Sequence, residues 1–113
     1  MIELLDAESV YESAKFYGNT YGISDLKYLL TIKSFQKVIP LSIALKTKTP
    51  FVEGEKLILQ YPVISYVYAV KVLKNRFKLG EKTIKESNYS ELYCEFLKSI
   101  LTDEEYIVFK LEY

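Results

Sequence analysis

The sequence predicts a small all-α domain: two tandem helix–turn–helix units behind an N-terminal helical cap. Three observations lead there. First, the chain repeats itself. Phe51, Gly54, Glu55, Lys56 and Ile58 recur as Phe77, Gly80, Glu81, Lys82 and Ile84, five identities at one offset of 26. One residue of slippage later, Ser65, Tyr68 and Ala69 meet Ser90, Tyr93 and Cys94. A period in this range belongs to stacked helical units, each too small to bury its own apolar stripe. Second, apolar residues recur near the 3.6-residue spacing of helices. Third, capping residues, glycines and prolines fall where short helices need starts and stops.

Taken in order, Asp6 is placed to cap a helix over 7–17, with Ser9 and Glu12 spaced as a capping box and Gly18-Asn19 as its stop. Gly22 gives a second break, and Ser24 opens a helix in which Leu26, Leu29, Leu30, Ile32, Phe35 and Val38 share a face. That helix should end near Ile39, because a residue before proline avoids the α region. Pro40 can open a further turn over 41–45, although the β-branched run 38–45 also reads as a strand. Residues 46–50 form a connector.

The first unit occupies 51–76: a short helix to about Gln60, a turn at Tyr61-Pro62, and a helix from Ser65 to Lys74. The second occupies 77–101: a short helix to Lys85, then Ser87-Asn88 capping a helix from Tyr89 to Leu101. Phe51 and Phe77 should anchor the units by ring burial, worth about 1.5–3 kcal/mol each. Gly54 and Gly80 should sit where the backbone needs positive φ or meets a close neighbour. Glu55 and Glu81 fall in a first helical turn, where the helix dipole favours a carboxylate. Tyr68 and Tyr93 read as half-buried, with hydroxyls at a polar rim. Thr102 and Glu105 make a capping box for 103–109, and the tail 106–113 also alternates like a strand.

At 113 residues the chain is one domain of ordinary globular composition, 50% apolar and 27% charged. No run of apolar residues is long enough to span a membrane. The short acidic start, Met1 to Asp6, is unlike a signal peptide, so a cytoplasmic protein is expected. A single cysteine, Cys94, excludes an internal disulfide. The zero net charge hides a pattern: residues 1–26 carry −4, residues 27–85 carry +9 and residues 86–113 carry −5. Either the acidic ends fold over the basic middle, or that middle meets an acidic partner or nucleic acid.

Catalytic chemistry finds little footing. The chain has no histidine, which removes the commonest acid–base group and metal ligand. Glu55 and Glu81 recur because the unit recurs and read as helix-start or surface residues rather than an acid–base pair. Cys94 lacks a histidine to activate it. The four glycines are scattered singly, so no phosphate loop exists. No catalytic residue, cofactor or metal site is expected.

The segment from Pro62 to Ile84 resembles a short helical repeat of phage, giant-virus and bacterial hypothetical proteins. That repeat runs Tyr-Ala, Val-Leu-Lys, Arg-Phe, Gly-Glu and Ile. Here the matching positions are Tyr68-Ala69, Val72-Leu73-Lys74, Arg76-Phe77, Gly80-Glu81 and Ile84. A second copy has Cys94 in place of the alanine, and Ala44-Leu45-Lys46 with Pro50-Phe51 and Gly54-Glu55 forms a decayed upstream copy. The resemblance covers 44–101, implies a helical stack, and brings no activity with it. The lysine-rich, tyrosine-rich composition (14 Lys to one Arg, 11 Tyr) fits an AT-rich genome such as many phages carry.

The expected function is therefore a non-catalytic interaction protein of a phage or mobile element, binding a host or defence protein, with self-association open. The alternative is a nucleic-acid-binding accessory protein using the basic 71–85 segment. Tyr61, Tyr66, Tyr89, Lys71, Lys74, Arg76 and Lys78 are the candidate partner-binding residues, because tyrosine gives contact area for few rotamers and lysine meets phosphate.

Overall fold

The computed structural model describes residues 6–113, and every regular element among them is helical. The expected all-α class is found, and both segments with strand-like alternation are helices. The reading of the leading residues as no signal peptide falls largely on 1–5, outside the described residues.

Asp6 caps α1 (Ala7–Thr20), its carboxylate accepting the Ser9 amide at 2.7 Å and the Ser9 hydroxyl at 3.1 Å. Ser9 thus turns to Asp6 rather than to Glu12. The helix passes through Gly18 instead of stopping there. Gly18 is buried, and a Cβ on it would lie 3.3 Å from the Ser42 carbonyl oxygen. Glycine here serves close helix packing, and Lys46 Nζ reaches across to the Gly18 carbonyl at 2.9 Å.

The single helix expected from Ser24 to Ile39 is instead α2 (Ile23–Leu29), a 3₁₀ turn at Lys33–Phe35, and α3 (Ile39–Thr47). The break has a local cause. Thr31 Oγ1 donates to the Tyr28 carbonyl at 2.7 Å, and Gln36 Nε2 donates to the Leu30 carbonyl at 2.9 Å. Side chains take over carbonyls that a continuing helix would use. α3 starts at Ile39 with Pro40 in its first turn, where the missing amide costs nothing.

The two units follow. The first has a 3₁₀ turn at Val52–Gly54, α4 (Glu55–Ile58) and α5 (Pro62–Val67), which runs on as a π-helical stretch over Tyr68–Leu73. The second has a 3₁₀ turn at Lys78–Gly80, α6 (Glu81–Lys85) and α7 (Ser90–Ile100). The turns that open the two units match angle for angle. Phe51 has φ −107°, ψ 79° and Phe77 has φ −108°, ψ 80°, while Gly54 and Gly80 have φ −94° and −96°. The capping box of Thr102 and Glu105 opens α8 (Asp103–Glu112) as expected.

Helix α1 lies across α3 and α5 and closes the N-terminal edge of the stack; α8 closes the other edge against α7. The main core runs through Val10, Leu41, Ile58, Ile64, Tyr68, Phe77, Ile84, Tyr93, Leu97 and Phe109, and a smaller one joins Leu26, Ile39 and Ile43. The extents, 42 × 30 × 21 Å, fit units laid along one axis.

Of the two roles open to Gly54 and Gly80, the structure selects the close neighbour. Each phenylalanine ring lies over the glycine three residues on, and a Cβ would meet ring carbons at 2.4 Å (Gly54) or 2.6 Å (Gly80). Phe77 is buried and wedged edge-on against Tyr68 at 5.0 Å, so it has nowhere to move. Gly80→Ala should therefore cost about 1–3 kcal/mol by overpacking. Gly54→Ala should cost less, because Phe51 is half-exposed and can tilt outward. Urea unfolding of both variants measures the difference.

Candidate functional site

Two constellations result from this repetition, one buried and one open. The buried one is a tyrosine–glutamate lock made once per unit. In the first unit the Phe51 amide donates to Tyr68 Oη at 3.1 Å, and that hydroxyl donates to Glu55 Oε2 at 2.6 Å. In the second the Phe77 amide donates to Tyr93 Oη at 3.0 Å, and Tyr93 donates to Glu81 Oε2 at 2.6 Å. The long helix of each unit thereby ties down the turn that starts it. Both tyrosines are fully buried, not half-buried at a rim. Burial, then the glutamate hydrogen bond, pushes both hydroxyls well above the ordinary phenol range, so they remain donors. Nor are the glutamates surface residues: Glu81 is buried and Glu55 is half-buried.

The second lock carries an addition. Arg76 Nε and Nη2 each donate to Glu81 at 2.8 Å, forming a fork, and Nη1 donates to Glu112 at 2.8 Å. Its guanidinium also sits 5.0 Å from the Phe109 ring centre. Burial opposes ionisation of Glu81, but the Arg76 and Tyr93 hydrogen bonds together outweigh it and hold the carboxyl below its ordinary range. Pro50 occupies the equivalent place in the first unit, so the arginine fork belongs to the second alone.

Arg76 is thus an internal clamp, with a side chain only 12% exposed. Tyr61 is half-buried with Lys37 Nζ 5.5 Å from its ring centre. Tyr66 and Tyr89 are half-buried, and their rings lie 5.3 Å apart. Lys71, Lys74 and Lys78 are exposed. The structure therefore brings Tyr66 to Tyr89 and Lys71 to Lys74, and it withdraws Arg76.

The open constellation was only half visible in the sequence. A cleft of about 380 Å³ between the end of α3 and the end of the π-helical stretch is lined by Ala44, Leu45, Lys48, Lys71, Val72 and Lys74. Lys48 follows α3 and Lys74 follows the π-helical stretch, both in the left-handed region with φ 57° and 51°. The signal for Lys48 was present: it matches Lys74 at the same offset of 26, three residues before Phe51.

A third feature is the outer face of α8. Tyr106, Phe109 and Tyr113 face inward, while Ile107, Val108 and Leu111 on the opposite side are 58%, 50% and 82% exposed. Exposed acids border this face at Asp103, Glu104, Glu105 and Glu112, with Lys110 on the same helix and Lys78 in one groove with Val108.

Burial holds the Cys94 thiol above its ordinary range, which keeps it a weak nucleophile. No grouping of potential metal ligands occurs among the described residues, and no described helix is long and apolar enough to cross a membrane. Comparison with known protein families, with curated proteins and with solved structures returns no match.

Proposed function

We propose that this protein is a non-catalytic adaptor that binds another protein through the outer face of α8. The observation that carries this reading is the double-sided character of that helix. A helix apolar on both sides belongs inside a protein, yet α8 has only one side covered. Ile107, Val108 and Leu111 form an apolar strip on the uncovered side.

The acids around the strip select the partner's chemistry: an apolar patch set in basic surroundings. They also argue against pairing of α8 with α8 of a second copy, which would bring like charges together. The carboxylates and phenols of the two locks hold the fold together, which leaves them no part in bond-breaking. In keeping with the repeat resemblance, the partner we propose is a host or defence protein met by a phage or mobile element.

The test pairs capture with a surface variant. Wild-type protein should retain a nuclease-resistant partner from host lysate, and Ile107→Asp/Leu111→Asp should lose it by tenfold or more with an unchanged Tm. Equal capture by the variant overturns the reading. So does light scattering that shows a wild-type dimer and a monomeric variant, since a second copy would then cover the strip.

A further inference from the structure

We infer that the cleft formed by Lys48, Lys71 and Lys74 is a binding site for the phosphate backbone of a single-stranded nucleic acid. The inference is independent of the α8 face, which lies on another element and has the opposite charge.

Backbone conformation is the first argument. Lys48 and Lys74 are the only non-glycine residues with positive φ among those described. Glycine is the usual residue at such a helix end, because any side chain is disfavoured there. The chain instead places lysine at both equivalent positions of the repeat. Strain of this kind collects at functional positions. The two side chains and Lys71 then share one cleft, 26 residues of chain separating the first from the last.

Charge is the second. No carboxylate lines the cleft. None of the three ammonium groups has a described carboxylate within 4.0 Å. Three cations around an apolar floor of Ala44, Leu45 and Val72 give the cleft a positive charge that suits an anion.

A third argument separates a strand from a small phosphate. Lys71 also lines an adjoining groove of about 200 Å³, whose wall includes Tyr11 and Tyr66 and one exposed carboxylate, Glu8. Lys71 Nζ lies 4.5 Å from the centre of the Tyr11 ring. Phosphate-binding cations beside aromatic rings are the arrangement that single-strand binders use, with rings contacting bases and cations tracking the backbone. With Arg76 held inside the protein, bidentate reading of guanine edges is absent, so sequence preference should be weak.

Lysine at a helix end also offsets the carbonyl dipole, so the test must tell that role from ligand binding. Fluorescence anisotropy with a short labelled oligothymidylate should show binding at low salt. Its log–log salt slope should be about −2, from ~0.7 per phosphate contact on a single strand. Lys48→Gly/Lys74→Gly should remove most of the binding and bring the slope to about −0.7. Its Tm should not fall, because glycine suits both positions. Tyr11→Leu should weaken oligonucleotide binding at least threefold and leave inorganic polyphosphate binding unchanged. Absence of binding at low salt, a slope unaltered in the glycine variant, or a lower Tm with intact binding each overturn the inference. Polyphosphate competing as well as the oligonucleotide per phosphate, with no Tyr11 dependence, overturns the nucleic-acid assignment.

Discussion

Tyr93→Phe should destabilise the protein by about 2–4 kcal/mol, although it removes one oxygen and leaves the ring in place. The ring would keep its edge contact with Phe109 at 5.9 Å. What goes is the hydroxyl joining the Phe77 amide to Glu81. A buried amide then has no acceptor, which costs about 1–3 kcal/mol, and a buried carboxylate loses a donor, a bond to a charged group worth about 1.5–3 kcal/mol. Relaxation around Phe77 recovers part of the sum. Tyr68→Phe should cost only about half as much, since Glu55 is half-buried and water can replace the lost donor. Urea unfolding of both variants decides the matter, and a double-mutant cycle with Glu81→Gln isolates the Tyr93–Glu81 bond. Equal and negligible losses would mean that the tyrosines merely fill space.

The lock shows how far the sequence could be read. Phenylalanine, glycine, glutamate and tyrosine recurring in one order were visible, and so was the helical nature of the units. The partnership was not. Tyr68 and Glu55 are 13 residues apart and Tyr93 and Glu81 are 12 apart, so the bond crosses a turn whose length differs between units. No helical or strand period relates such positions. A recurring glutamate in a first helical turn has a sufficient explanation in the helix dipole, which hides its second role as an acceptor.

The helix expected from Ser24 to Ile39 went wrong for a different reason. Its apolar spacing is truly helical, but Thr31 and Gln36 compete for main-chain carbonyls, and periodicity does not register that competition. Of the candidate partner residues, Arg76 looked like one more cation in a basic run. Only the fold shows that Glu81 and Glu112 converge on it. The lysine cleft fell between the two cases. Lys74 stood out in the basic segment, whereas Lys48 needed the repeat to be extended upstream of Phe51.

Arg76→Ala should cost more than either tyrosine change, about 3–5 kcal/mol at neutral pH. The fork to Glu81 is well shielded, with both side chains little more than one-tenth exposed. Removing the cation leaves a buried carboxylate held by Tyr93 alone. It also strips a cover from Phe109 and unfastens the end of α8 from the second unit. The Glu112 arm contributes little by itself, because that carboxylate is half-exposed.

The pH dependence gives an independent check on cause. The folded value of Glu81 lies below its unfolded value, so its stabilisation is complete above the ordinary glutamate range and is lost as pH falls through the folded value. Wild-type stability should therefore drop on the acid side. The deficit of Arg76→Ala should be largest near neutrality and narrow on acidification, because protonated Glu81 no longer needs the guanidinium. A deficit constant from neutral to acid pH would assign the loss to packing on Phe109 instead. Arg76→Lys separates the contributions further: it restores one charge without the fork, so it should recover less than half of the lost stability.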